Sequence, residues 1–241
     1  MGLRDRIIRR LDEGRYKEFP SRWDDLRFSE LIASRVMPTH TVLDLGAGAG
    51  IVPEMNFKEL AARVCGVDPD PRVVNNPYLH EGRQGVGEQI PYDDQTFDVV
   101  FCDNVLEHLE NPETVFAEVR RVLKPGGVFL AKTPNYWHYV AVTASVTPLS
   151  FHQRFNAARG RKEEDTFPTV YRANTRRDLL KLASKTGMEL VDCTRIEGRP
   201  EYLRRWASTY IAGTVYERIV NASEILAPFR VVLFAELKRV G

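Results

Sequence analysis

The stretch Val42-Leu43-Asp44-Leu45-Gly46-Ala47-Gly48-Ala49-Gly50 constrains the fold more than any other part of the chain. An apolar strand runs into an acid and then into three glycines at alternate positions. Without Cβ atoms, such a turn lets the backbone pass close to a bound ligand. Open α/β sheets build nucleotide sites from a strand feeding a turn of this kind, at the carboxyl ends of their strands. The dinucleotide spacing Gly-x-Gly-x-x-Gly asks for a small residue at position 51, where this chain has Ile51. A different nucleotide is expected.

Strand and helix patterns alternate from about 41 to 133, as in a parallel sheet. The first strand ends at Gly46, and a short helix through Met55 and Leu60 should follow it. Arg63 to Val67 reads as a second strand closing on Asp68. Pro69, Pro71 and Pro77 keep any helix before Gly82 short or broken. A weak third strand is expected near Gln84 to Val86, and a buried fourth over Phe97 to Cys102. Asn111-Pro112 opens a helix with Val115, Val119, Val122 and Leu123 inward. The turn Lys124-Pro125-Gly126-Gly127 then leads into a fifth strand, Val128 to Lys132. Thr175 and Asp178 form a capping-box-like start to a helix ending at Gly187. Strands follow over Met188 to Arg195 and Arg230 to Leu237.

The expected fold is therefore α/β, a doubly wound, seven-stranded and mostly parallel sheet with helical and aromatic lid insertions. Its units are an N-terminal helical segment (1–40), a nucleotide-binding core (41–133), a lid (134–173), a continuation of the core (174–198), a second lid (199–228) and a last strand (229–241).

A formal net charge of +1 gives no global argument for nucleic acid, and no apolar run reaches the length of a membrane span. The cysteines, Cys65, Cys102 and Cys193, lie in apolar runs without ligand spacing, which points to reduced thiols, no metal site and a cytoplasmic protein. The start of the chain has neither an apolar signal core nor a myristoylation site. Leu3, Ile7 and Leu11 share one helical face among Arg4, Arg6, Arg9 and Arg10. That helix either docks on the domain or makes peripheral contact with an anionic membrane.

Asp68 ends its strand about 20 residues past the glycine turn, where a carboxylate can accept both ribose hydroxyls of a nucleoside. With the segments Gly85-Val86-Gly87-Glu88-Gln89-Ile90-Pro91-Tyr92, Asp103-Asn104-Val105-Leu106-Glu107-His108-Leu109 and Leu123 to Gly127, the chain resembles the class I S-adenosylmethionine-dependent methyltransferases. It is most similar to the small-molecule type of ubiquinone and menaquinone biosynthesis. The resemblance covers residues 41–133 and implies the strand order 3-2-1-4-5-7-6 and S-adenosyl-L-methionine as cofactor. It carries the cofactor onto Asp44, Gly46, Ala47, Gly48, Gly50, Asp68, Pro69, Val86, Gly87, Glu88, Asp103 and Asn104. Val86 departs from the family, whose members often have Asp there to accept the adenine amino group. That hydrogen bond is lost here, or moves to Glu88 or to backbone.

Methyl transfer to a hydroxyl needs a base with a pKa near neutrality. His108 is the first candidate. Some relatives that methylate sugar hydroxyls carry a histidine base after the fourth strand, and others use it only to pack the loop. His138 and His152 in the first lid are the alternatives. Asn135, Tyr136, His138, Tyr139, Tyr171 and Arg172 are candidates for holding the acceptor, by stacking or by ion pairing. Trp137, Phe151, Phe155 and Phe167 equally suit a small core of the lid itself. Tyr202, Arg204, Arg205 and Trp206 fit a solvated helix face or a homodimer contact.

The function expected is methylation of a small molecule, most readily at an oxygen of a sugar, glycan precursor or secondary metabolite. The alternative is a non-catalytic nucleotide-binding or regulatory protein on the same fold. Nucleic-acid methylation is disfavoured because the chain lacks an Asn-Pro-Pro-Tyr-like signature and any basic excess.

Overall fold

In the computed structural model, which describes residues 2–20, 22–147 and 168–241, the glycine-dense turn leaves an inner strand of a seven-stranded sheet. The strands are β1 (Thr41–Leu45), β2 (Arg63–Asp68), β3 (Glu81–Gln84), β4 (Phe97–Asp103), β5 (Leu123–Pro134), β6 (Met188–Ile196) and β7 (Val232–Arg239). Their order is β3-β2-β1-β4-β5-β7-β6, as the resemblance implies. The first five are parallel, and β7 pairs antiparallel with both β5 and β6.

Near-continuous apolar runs in β1, β2 and β4 are those of strands covered on both faces. Alternate residues point to two cores. Leu43, Val67, Val100, Cys102 and Ala131 meet α3 (Pro112–Val122) and α5 (Arg176–Thr186) on one side. Val42, Val64, Val99, Phe101 and Leu130 meet α2 (Trp23–Ala33) on the other, with Phe28 and Ile32 fully buried. The strand order reverses between β1 and β4, and ligand crevices of open sheets form at such a point.

The remaining helices are α1 (Leu3–Gly14), α4 (Tyr139–Val146) and α6 (Ala207–Asn221). Through its Asp12 and the following Tyr16, α1 docks on α6. The Tyr16 and Tyr210 rings stack at 5.8 Å, and the Tyr210 hydroxyl donates to Asp12 at 2.6 Å.

Three elements differ from the sequence expectation. The helix expected through Met55 and Leu60 is a single 3-10 turn, Pro53–Met55, because Asn56 turns extended and its side chain accepts from Lys58 N–H. The third strand begins three residues early, at Glu81, with Gly82 lying against the backbone of Val73 where no Cβ fits. β5 begins at Leu123, paired with Phe97, before a register shift to Val99 and Val128.

Candidate active site

At the carboxyl end of β1, Gly46, Gly48 and Gly50 take positive φ angles of 86°, 52° and 72°, where a side chain would be strained. Gly48 N–H donates to Asp68 Oδ2 at 2.8 Å, and Asp70 N–H donates to Oδ1 at 2.8 Å. The acid at the end of β2 thus braces the turn. Burial raises its pKa above the usual carboxylate range.

A second brace comes from Asn76, which sequence reasoning missed. This buried side chain donates to the carbonyls of Ala47 and Gly48 and accepts from Tyr78 N–H. A Cβ on Gly50 would collide with it. The only hint in the sequence is the Asn76-Pro77 pair, which marks a turn without naming its partner.

The segment carrying Val86, Gly87 and Glu88 is tied to the end of β2, where Gly85 N–H donates to the Asp68 carbonyl at 3.0 Å and the Gln84 side chain to the Pro69 carbonyl at 2.9 Å. Gly87 backs onto Val115 and Leu45. Val86 is exposed and offers no acceptor, whereas Glu88 is half-buried beside it.

Behind the turn lies a charged centre that the sequence signals only by a lysine in an apolar strand. Lys132 is fully buried on β5, opposite Asp103 in register. Its ammonium lies 2.8 Å from Asp103 and 3.3 Å from Asp24, and also pairs with Asp25. Three carboxylates therefore share one ammonium. Burial pushes the Asp103 carboxyl up to about 6 while Lys132 pulls it back. The three carboxylates in turn hold Lys132 above its usual value against burial.

Asp44, one strand over, is driven well above the carboxylate range by burial and by the nearby Asp103 and Asp68. Asn104 takes a positive φ of 54° and donates its amide to Asp103 Oδ1 at 2.8 Å. The end of β4 thus gathers carboxylates beside the turn that Asp68 braces.

His108 ends the 3-10 turn Leu106–His108 that follows β4. Its Nδ1 lies 2.7 Å from the Pro168 carbonyl, which can only accept, so in the neutral ring the proton sits on Nδ1 and the lone pair on Nε2. Beside it, the buried Glu107 accepts from the Thr133 hydroxyl at 3.0 Å, and its own carbonyl accepts from Val170 and Tyr171 N–H. Asn174 donates to Thr133 Oγ1 and to the Pro134 carbonyl. This network brings Tyr171, with its ring 5.8 Å from that of Tyr136, to the end of β4. Burial raises the pKa of Glu107, opposed by the neighbouring His108. Arg172 is exposed and donates to the Glu110 carbonyl at 2.6 Å.

The other candidates separate from this group. His138 is 2% exposed, caps α4 by accepting Val140 N–H at Nδ1, and lies 3.4 Å from the equally buried Glu197. Burial pushes the imidazole down to about 3, so in this pocket it is a neutral strut facing neither solvent nor the cleft. Asn135 is buried too, its amide donating to the Pro228 and Arg230 carbonyls, which ties β5 to the entry of β7. Tyr139 packs edge-on against Tyr216 in the same pocket. His152, Phe151, Phe155 and Phe167 lie outside the described residues.

The residues present fit S-adenosylmethionine. Each Asp68 oxygen keeps a lone pair beyond its one N–H contact for the ribose hydroxyls. Gly48 leaves open space where a Cβ would stand, whereas Cβ atoms on Gly46 and Gly50 would collide with Val105 and Asn76, and the carboxylates around Lys132 suit a cation.

Residues 43–131 match the family model of a methyltransferase domain. The ubiquinone biosynthesis O-methyltransferase of Maricaulis maris is 37% identical over 103 residues, 39% of this chain and 40% of that protein. The chain thus spans two fifths of that relative. An uncharacterized methyltransferase of Mycobacterium sp. (strain JLS) is 30% identical over 176 residues, 69% of this chain and 67% of its own length. Among solved structures, geranyl diphosphate C-methyltransferase from Streptomyces coelicolor A3(2), in complex with Mg2+, geranyl diphosphate and S-adenosyl-L-homocysteine, shares the fold. Its TM-score is 0.55 at 16% identity, over 91% of this chain and 80% of that one.

Proposed function

This chain belongs to the class I S-adenosylmethionine-dependent methyltransferases, and from that premise we propose that it methylates a hydroxyl of a small molecule, with His108 accepting the hydroxyl proton. The cofactor, when bound, supplies a methyl on a cationic sulfur whose leaving thioether is neutral. What the chain must add is alignment of the two reactants and removal of one proton. With the cofactor bound, Asp68 would accept its ribose hydroxyls, the turn at Gly48 would admit it close to the backbone, and the carboxylates of the Lys132 centre would suit its cationic amino-acid end. Tyr136, Tyr171 and Arg172 border the acceptor on the side of His108. The proton lost by the acceptor hydroxyl would pass to Nε2 of His108.

The observation that carries this reading is the contact of Nδ1 with the Pro168 carbonyl, which leaves the basic lone pair on Nε2. Sequence kinship to a relative named for O-methylation supports oxygen as the atom attacked, with a sugar, glycan precursor or secondary metabolite as its bearer.

The test is transfer of isotope-labelled methyl from the cofactor into a panel of hydroxylated metabolites, with the product bond assigned by NMR. His108→Gln is expected to lower kcat by about 10²-fold or more while the affinity for S-adenosylhomocysteine stays within about twofold. Retained kcat in the variant would remove His108 from the chemistry. A label found on carbon would overturn the O-methyl assignment.

A further inference from the structure

The helix α6 is apolar on both sides, although only one side is covered. Tyr210, Gly213, Thr214, Glu217 and Val220 face inward and are buried. On the opposite side, Ile211, Val215 and Ile219, spaced one turn apart, are 46%, 51% and 54% exposed. A surface helix ordinarily carries polar residues there. The stripe begins near Trp206, which caps the helix at 56% exposure, and just beyond the helix end stands Ile225 at 85%.

Along Tyr202 to Ala222 the exposed charges are arginines, and the exposed acid beyond them, Glu224 beside Ile225, is paired with Arg230 at 2.7 Å. From Tyr202 to Ala222 the charged residues are Arg204, Arg205, Glu217 and Arg218. The single acid, Glu217, is buried and held by Arg15. Arg204 is held by Asp12. Arg205 and Arg218 are exposed, and the guanidiniums of Arg205 and Arg4 lie 5.8 and 5.6 Å from the centre of the Trp206 ring.

We propose that this face of α6 is a peripheral docking surface for an anionic lipid bilayer, with Ile211, Val215 and Ile219 entering the acyl boundary and Trp206, Arg205 and Arg218 at the headgroups. The combination of an apolar stripe, an aromatic at its end and flanking arginines suits that solvent. A second copy of the chain suits it less, because the exposed acid beside this stretch, Glu224, is already paired with Arg230 and leaves Arg205 and Arg218 without an acid to meet across such a contact. The contact is peripheral, since among the described residues no helix is long and apolar enough to cross a membrane. Of the two readings of α1, the structure has it docked on α6 with Ile7 and Leu11 half-buried, so the membrane contact is placed on α6 instead.

Co-sedimentation of the full chain with vesicles tests the assignment. Vesicles of equimolar phosphatidylcholine and phosphatidylglycerol should pellet the protein, phosphatidylcholine alone should pellet far less, and high salt should release it. Ile211→Ser/Val215→Ser/Ile219→Ser should lower the vesicle-bound fraction about tenfold or more. Arg205→Glu/Arg218→Glu should do the same while leaving the apolar stripe intact. Both variants should keep the wild-type melting temperature and affinity for S-adenosylhomocysteine, because these side chains are exposed and remote from Asp68. The proposal is overturned if the wild type stays in the supernatant with anionic vesicles, or if the triple variant pellets as the wild type does. It is equally overturned if the wild type ignores vesicles and forms a concentration-dependent dimer that the triple variant abolishes.

Discussion

Lys132 carries its ammonium where no water reaches it, and so its three carboxylates replace a hydration shell. Removing one partner of such a centre leaves the rest buried and uncompensated, which costs about 3–5 kcal/mol. Lys132→Met is therefore expected to lower the free energy of urea unfolding by about that amount, and Asp103→Asn added to it should recover part of the loss. A single variant within about 1 kcal/mol of the wild type would show that water reaches the site. Residues of this kind were illegible in the sequence, because Asp24 lies 108 positions from the lysine it meets. Asn76 was hidden for the same reason, its partners in the glycine turn being 28 and 29 positions away. The places of the glycine turn and of Asp68 were legible because each closes its own strand, although the contact between them spans 20 positions. His138 and Asn135 have the right chemistry for a site, but only the fold shows them sealed beneath it.

At the scale of elements, α5 was read correctly from end to end because its signals are local. Thr175 accepts Asp178 N–H at 3.2 Å, and Gly187 leaves the helix at a φ of 70°. Thr175→Ala should destabilise the protein by about 1 kcal/mol in chemical denaturation, the usual worth of such a cap. No loss would mean that Asp178 or water replaces the hydroxyl. The short turn after β1 was misread because Asn56 ends it, its side chain accepting from Lys58 N–H, and the early start of β3 because it is not dictated by its own residues. Glu81-Gly82-Arg83-Gln84 has almost no strand propensity, and it pairs because the exposed edge of β2 offers Cys65 to Asp68 as partners. Likewise α1 was recognised as amphipathic, but only the α6 surface shows what its apolar side meets.

For the molecule as a whole, stability is linked to pH through the buried pair His138 and Glu197. Burial pushes Glu197 up to about 8 from 4.5, so the folded chain binds a proton there that the unfolded chain has released. Its contribution is fully present at acid pH and is lost as pH rises through that window, at up to about 1.4 kcal/mol per pH unit. His138 works in the opposite sense. Lowered from 6.5 to about 3, it stays neutral in the fold while the unfolded chain takes up a proton, so stability falls as pH drops below 6.5. Within this pair the two slopes cancel between pH 4.5 and 6.5, and from 6.5 to 8 only that of Glu197 remains. Glu197→Gln removes one slope and keeps the shape of the pocket. Relative to this variant, the wild type should lose stability from pH 6.5 to 8. Below 6.5 the wild type should keep gaining on the variant as pH falls toward 4.5. Differential scanning calorimetry of both proteins across pH 4.5 to 8.5 reads the difference directly, and parallel curves would mean that Glu197 is ionised in the fold, drawing the His138 Nε2 proton toward it.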